Sequence, residues 1–314
     1  MREVKLTGLQ VGNPVGFMAA LGLLRILNED HGLEVTLAWQ DGHAMLGGID
    51  EDGLLTLLNQ HMRGRSRAPE FNFAVNTGSD RAVPVMHLRE IRPEDYQAAA
   101  AQMVEDSRAL GFLAGFATDT VVNENGFVAR TSFDFSSANQ KLGEEFRRLA
   151  LRLDPDARRG RKETPSQTLL QQGLFGGPYV EQHSFGWDPA TLMSHGYVAV
   201  APTHAPTPGQ PGLIWLAVES LPWHPVMSDG RGSSLTTGWD GRRAYAWPEW
   251  HMPLRANEVR LLRARPVSTL AHLPGVAATW ASQRTGVGKF GFLQPAARTC
   301  SARPEPARFA HWVT

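Results

Sequence analysis

The chain has 314 residues, of which 42% are apolar and 20% are charged, and its formal net charge at pH 7 is zero. This is the composition of a globular protein, so disorder throughout the chain is excluded. The single cysteine, Cys300, excludes a disulfide scaffold and any zinc site with two or more thiolate ligands. One thiol also fits a reducing, cytoplasmic location. The sequence shows neither a secretory signal nor an apolar run long enough to cross a membrane.

The basic residues are 27 arginines and four lysines, and they are unevenly distributed. Residues 231–314 carry 12 basic and 4 acidic side chains, a net charge of +8, whereas residues 1–230 carry 19 and 27, a net charge of −8. Arginine binds phosphate through a planar fork and stacks on bases, so the basic C-terminal third is a candidate surface for a polyanion. A GC-rich genome also favours arginine codons, which leaves a second explanation for the bias.

The N-terminal half predicts a strand, a long buried helix and then further strands and helices. Residues 2–9 alternate apolar and polar side chains, as a strand does. Asn13 followed by Pro14 marks a helix start, and the helix to about Asn28 is apolar on most sides, so we expect it in the core. The further elements expected are strands at 34–39 and 43–49, a helix at 54–62, short strands at 71–75 and 83–88, a helix from Pro93 to about Leu110, a strand at 131–135 and an amphipathic helix at 140–153.

The C-terminal half is rich in loops and aromatic residues. The apolar run at 213–219 predicts a strand, and residues 257–265 predict a short helix. The polar segment 154–168, punctuated by glycine and proline, predicts a basic linker or loop. We therefore expect an α+β fold with a mixed or antiparallel sheet, divided into an N-terminal domain at 1–153 and a C-terminal domain at 169–314. A single domain is the alternative.

Four groups of residues are candidate contacts to nucleic acid. Basic loops containing glycine can mould onto a phosphate backbone, and a helix N-terminus attracts phosphate. Arginines interleaved with tryptophans over 239–250 suit base stacking beside phosphate contacts. The ordinary explanations are a solvated loop, a plain helix cap and core tryptophans. The candidates are Arg63, Arg65 and Arg67; Arg158, Arg159, Arg161 and Lys162; Asn139, Gln140 and Lys141; and Arg242 and Arg243.

A metal-dependent hydrolase or nuclease is the alternative class of function. Its ligands would come from the second half of the chain, but no histidine pair there has the four-residue helical spacing of a zinc protease. Neither a Walker-type phosphate loop nor a Gly-x-Ser-x-Gly nucleophile motif is present. We therefore expect no cofactor and no metal. The side chains considered for the alternative are His183, His195, His204, His224, His251, Asp188, Asp229 and Asp240.

The segment from Leu6 to Arg25 contains Asn-Pro-x-x-Phe-x-Ala-x-Leu-Gly-Leu-Leu between the first strand and the long helix. This opening resembles that of proteins from type I-G (formerly I-U) CRISPR systems, in the related families of large-subunit-like proteins and of a helicase-nuclease extension. Shorter segments resemble later blocks of these families, although Ala138 and Asn139 replace the usual glycine of the first. These segments are Ser136–Lys141, Phe185–Pro189, Leu216–Pro222, Thr237–Gly238 and Trp247–Leu254.

The resemblance implies a non-catalytic subunit of a Cascade-like interference complex, a ribonucleoprotein of antiviral defence. Such a subunit helps to bind target double-stranded DNA and its flanking motif beside the guide RNA, and helps to recruit the helicase-nuclease. The implied partners are therefore the other effector subunits, guide RNA, target DNA and the helicase-nuclease, with no membrane. The chain is short for a large subunit. A structural adaptor without nucleic-acid contacts is a third reading.

Overall fold

The computed structural model describes residues 2–75, 83–84, 88–136, 141–157, 160, 163–190, 208–287 and 290–301. The helices are α1 (Pro14–Arg25), α2 (Glu51–His61), α3 (Pro93–Gln102), α4 (Ser107–Phe116), α5 (Leu142–Leu153), α6 (Ser166–Phe175), α7 (Pro211–Val218), α8 (Ala256–Arg263) and α9 (Val267–Leu270). The first strands are β1 (Glu3–Gln10), β2 (Thr36–Gln40), β3 (His43–Gly47), β4 (Ala74–Val75), β5 (Val83–Pro84), β6 (Ala117–Val122), β7 (Val128–Arg130), β8 (Val180–Glu181) and β9 (Pro208–Gly209). The later strands are β10 (Val226–Ser228), β11 (Ser234–Thr236), β12 (Trp239–Asp240), β13 (Ala244–Trp250), β14 (Leu254–Arg255), β15 (Val276–Val287), β16 (Phe290–Leu293) and β17 (Ala297–Ser301).

Antiparallel pairing joins all the strands of the described ranges into sheets and hairpins. One sheet has the strand order β1-β3-β2-β14, so its last strand comes from the C-terminal half of the chain. A second sheet has the order β12-β13-β15-β16, and β17 also pairs with β15. The remaining pairs are β4-β5, β6-β7, β8-β9 and β10-β11. Helices and antiparallel strands together confirm the α+β fold.

Helix α1 lies at the centre of the molecule, as its sequence predicts. The Asn13 side chain caps it by accepting a hydrogen bond of 3.1 Å from the backbone N–H of Val15, and Pro14 occupies the first turn. All twelve residues of α1 are buried. A Cβ on Gly22 would overlap the backbone oxygen of Leu216, so glycine is what allows α1 to pack directly against α7. The helix continues into a π-helical turn at Ile26–Asp30.

The strand predicted at 213–219 is wrong, because this segment forms helix α7. Pro211 stands in its first turn and every residue of the helix is buried. A helix buried on all sides has no polar face, so its sequence shows a plain apolar run like that of a central strand.

Two other local predictions also differ from the structure. The helix expected from Pro93 to about Leu110 is interrupted, and Asp106 caps the second part, α4, by accepting from the backbone N–H of Ala109 at 3.0 Å. Residues 131–135 are not a strand, because Thr131 and Asp134 form a turn whose backbone hydrogen bond measures 3.2 Å. A capping aspartate accounts for the first break.

Residues on both sides of segment 154–168 contribute to one hydrophobic core. Buried side chains of α1, α4 and α5 belong to the same cluster as those of α6, α7 and β13. Strand β14 also pairs with β2, which binds the two halves through one sheet. The two halves of the chain therefore share one core and one sheet. No helix among the described residues is both long and apolar enough to cross a membrane.

Candidate nucleic-acid interface

The loop of Arg63, Arg65 and Arg67 lies beside the segment that begins the second predicted basic loop. The backbone N–H of Gly64 donates to the Asp154 carboxylate at 3.0 Å, and the Arg63 guanidinium lies 3.5 Å from Asp156. Arg63 and Arg67 are exposed. The first basic loop is thus held against residues 154–156. The residues Arg158, Arg159, Arg161 and Lys162 themselves lie outside the described residues.

Arg65 is not part of the loop's solvent-facing surface. Its side chain is only 3% exposed, and its guanidinium binds Glu70 at 2.6 Å and Glu219 at 2.9 Å. It also lies over the rings of Phe71 and Trp215. Burial alone would lower the pKa of Arg65, but the charges of the two carboxylates outweigh burial and raise the pKa. Arg65 therefore anchors the loop and does not present its fork to a ligand.

Glu219, the C-cap residue of α7, is the centre of a buried charge network. Its side chain has no exposed surface and is bound by Arg25, Arg65 and His61, the last at 3.1 Å. Burial would raise the pKa of Glu219, but these three groups outweigh burial and hold the pKa well below its usual value. We call the set Arg25, Asp30, His61, Arg65, Glu70 and Glu219 the Glu219 network.

The Glu219 network contains a group of three side chains with possible metal ligands. One atom each of Asp30, His61 and Glu219 lie within 4.8 Å of one another, and among the described residues this is the one such group. Arg25 binds both Glu219 and Asp30, and Arg65 also binds Glu219. A metal cation would have to displace or face two guanidinium charges. The arrangement therefore fits charge compensation within the core better than a metal centre.

The side chains considered for a second-half metal site do not form a group of three in the described part of the chain. His224 is buried between the backbone oxygen of Ser220 at 2.8 Å and the Tyr245 hydroxyl at 2.9 Å. The Asp188 carboxylate accepts from the Tyr179 hydroxyl at 2.8 Å. The metal-enzyme alternative gains no support from these contacts. His195 and His204 lie outside the described residues.

Arg242 and Arg243 lie in the exposed turn between β12 and β13. The backbone oxygen of Arg243 accepts a hydrogen bond of 2.7 Å from the N–H of Arg284 on β15. The positive charge of Arg242 acts on both Arg130 and Arg284. We call Arg130, Arg242 and Arg284 the arginine cluster. Two of its members, Arg130 and Arg284, carry no signal in the sequence, because they are 112 and 42 residues from Arg242 and no local pattern connects them.

The predicted helix start at Ser136–Lys141 is described in part. The N–H and hydroxyl of Ser136 both donate to the Asp134 carboxylate, at 2.9 and 2.5 Å. Lys141 immediately precedes α5, with its ammonium 3.9 Å from Glu144. Asn139 and Gln140 lie outside the described residues. The segment thus begins beside the arginine cluster, since Asp134 also binds Arg130.

The aromatic residues interleaved with Arg242 and Arg243 are buried, so base stacking on them is not available in this fold. Trp239, Tyr245, Trp247 and Trp250 are at most 8% exposed. Their polar atoms serve the core as well, since the indole N–H groups of Trp247 and Trp250 donate to backbone oxygens at 2.8 Å. The ordinary explanation, core tryptophans, therefore holds for these rings, and the base-stacking interpretation of them is wrong.

No protein-family model matches this chain, and no curated protein matches it.

Proposed function

We propose that this protein is a non-catalytic, large-subunit-like component of a type I CRISPR interference complex. It would help to bind target double-stranded DNA and its flanking motif together with the guide-RNA complex, and help to recruit the helicase-nuclease. The proposal begins from the resemblance of residues 6–25 and of the shorter blocks that follow them.

The observation that carries the proposal is that three of the later blocks, which are far from residues 6–25 in sequence, contact that segment in or just before α1. The backbone oxygen of Val11 accepts from the Trp247 indole at 2.8 Å, and the Asn13 amide lies 3.4 Å from Asp188. The Arg25 guanidinium donates to the backbone oxygen of Glu219 at 2.6 Å. Segments that contact one another restrict which residues each can carry, so proteins with the same fold are expected to resemble one another in these segments. This supports a shared fold, of which the opening motif is the central helix.

Two further observations support a binding role over catalysis. Arg63, Arg67, Arg242 and Arg243 are exposed cations on loops and turns, where phosphate contacts are made. The buried titratable groups of the Glu219 network are bound to one another. We accordingly propose nucleic-acid and protein partners and no catalytic residue.

Co-purification tests the proposed function. The tagged chain is expressed with its neighbouring genes and a guide array, and the material that elutes at moderate salt is analysed by mass spectrometry and absorbance ratio. We expect guide RNA and other effector subunits to elute with the chain. The same expression without the guide array is the control, and its eluate should lack guide RNA. A chain that elutes alone, free of RNA, would contradict a stable subunit.

A further inference from the structure

The arginine cluster gathers three cations from distant parts of the chain onto one surface. Arg130 ends β7, Arg242 stands in the turn before β13 and Arg284 lies on β15. The turn and β15 are joined by the 2.7 Å backbone hydrogen bond from Arg284 to Arg243. Arg242 is exposed, and Arg130 and Arg284 are half-buried. The positions are therefore set by folded strands, and the cluster remains open to solvent.

Positive charge exceeds negative charge at the arginine cluster. Asp134 is the one carboxylate among the described residues whose charge acts on both Arg130 and Arg284. One of its oxygens binds Arg130 at 2.9 Å, and the other accepts both hydrogen bonds from Ser136. Within the described ranges, neither Arg242 nor Arg284 has an ion pair or a side-chain hydrogen bond. The charge of Asp134 thus acts on Arg130 and Arg284, and Arg242 adds a further positive charge to both.

The guanidinium groups are held near one another although they repel. Arg284 lies over the Phe135 ring, with its central guanidinium carbon 4.7 Å from the ring centre. Burial and then the charges of Arg130 and Arg242 lower the pKa of Arg284. Burial likewise lowers the pKa of Arg130. The charge of Asp134 raises this pKa, and the charge of Arg89 lowers it. Like charges held in a half-buried site cost free energy that an anion would recover.

The geometry points to a phosphodiester of a nucleic-acid strand as the ligand of the arginine cluster. Each guanidinium offers a planar fork that fits phosphate oxygens, and several cations from separate elements suit a chain of phosphates. We infer that Arg242 and Arg284 contact the backbone, whereas Arg130, bound to Asp134, contributes charge. The identification of the anion as nucleic acid rests on the proposed function. The excess of positive charge is independent of that function.

The test measures how salt weakens binding of nucleic acid to the full chain. Fluorescence anisotropy follows a labelled DNA duplex, and in parallel arms a single-stranded DNA and an RNA of the same sequence, between 50 and 300 mM salt. The variants are Arg242→Glu, Arg284→Gln and Arg284→Lys. Arg231→Gln is the matched control, because Arg231 is an exposed arginine in the β10–β11 turn. Arg242 is exposed too, so its variant is expected to fold.

Loss of one phosphate contact reduces the slope of log affinity against log salt by about 0.9 on a duplex or about 0.7 on a single strand. If wild type and variant bind equally at 1 M salt, this change in slope lowers the affinity at 100 mM salt by roughly five- to eightfold. We expect at least this loss for Arg242→Glu and Arg284→Gln, little loss for Arg284→Lys, and no change for Arg231→Gln. The arm in which the variants reduce the slope by the amount expected for that form of nucleic acid shows which form supplies the phosphate.

Three outcomes would overturn the inference: no binding at 50 mM salt, equal slopes for all variants, or equal losses with Arg231→Gln. An acidic protein surface as the true partner would give the first of these. The proposed function fails separately, in co-purification. If the variants weaken binding but the chain elutes without effector subunits, the phosphate site is supported and the proposed function is contradicted. If the chain assembles with effector subunits but the slopes are unchanged, the proposed function is supported and the phosphate site is contradicted.

Discussion

The charge of Glu219 is the feature whose removal we expect to cost the most stability. The side chain has no exposed surface, and its carboxylate binds both Arg25 and Arg65. Glu219→Gln keeps the shape of the side chain and removes its charge. Two buried guanidinium groups then remain with their other carboxylates: Glu70 at 2.6 Å from Arg65, and Asp30 at 3.0 Å and Glu29 at 3.9 Å from Arg25.

Removal of one partner of a buried ion pair costs about 3–5 kcal/mol. Because each arginine keeps a second carboxylate, we expect the lower end of this range, about 3 kcal/mol. Urea unfolding at pH 7 measures the change in the free energy of unfolding. The control is Glu34→Gln, whose carboxylate is 83% exposed and 3.8 Å from Arg255. We expect the control to stay within about 0.5 kcal/mol of the wild type.

The pH dependence gives a second test of the same reasoning. The pKa of Glu219 is lowered in the folded chain, because the attached cations outweigh the effect of burial. Such a carboxyl stabilises the fold above its unfolded pKa of about 4.3 and loses this contribution as the pH falls through the folded pKa. The stability gap between wild type and Glu219→Gln should therefore be full at pH 7 and narrow below about pH 4.3. A variant that unfolds at the wild-type urea concentration at pH 7 would refute the reasoning.

Two further predictions concern the packing and the ionisation of the core. Gly22→Ala places a Cβ against the α7 backbone, so we expect a loss of about 1–3 kcal/mol or more in thermal unfolding. Gly160→Ala, where a Cβ meets only the Glu163 side chain, should keep the wild-type midpoint; equal midpoints for both variants would contradict close packing. Burial and then Arg263 hold the pKa of His224 well below its usual value, so stability should fall as the pH drops below about 6.5. His224→Gln should flatten the urea-midpoint profile between pH 7 and 5.5, and an unchanged slope would argue against a buried neutral imidazole.

The sequence predicts elements well where the signal is local. Asn13 and Pro14 mark the start of α1 because a cap and a fixed φ act within one turn. The ends of strands β2 and β3 differ from their predicted positions by at most two residues. The apolar run that forms α7 predicts a strand because a helix buried on every side shows no alternation of apolar and polar residues at the helical period. Burial could be predicted there, but helix and strand could not be separated.

The candidate site is less predictable, because it depends on residues far apart in the chain. Arg65 reads as one more loop arginine, and only the fold shows that Glu219, 154 residues later, draws it inward. Arg130 and Arg284 are the opposite case. Nothing in the sequence around them indicates a binding site, and they become candidates only because the fold brings their charges near Arg242. Sequence pattern identifies the basic loops, whereas tertiary structure decides which cations are already neutralised.

The Glu219 network also bears on how the chain could be divided. A cut at Gly160 would leave Arg25 and Arg65 on one fragment and Glu219 on the other, and would separate β2 from β14. Each fragment alone would have to bury charges without their partners or leave a sheet edge unpaired. The two fragments together could restore both. The halves should therefore be insoluble apart and soluble when co-expressed, which makes position 160 a natural place for a split-protein reporter.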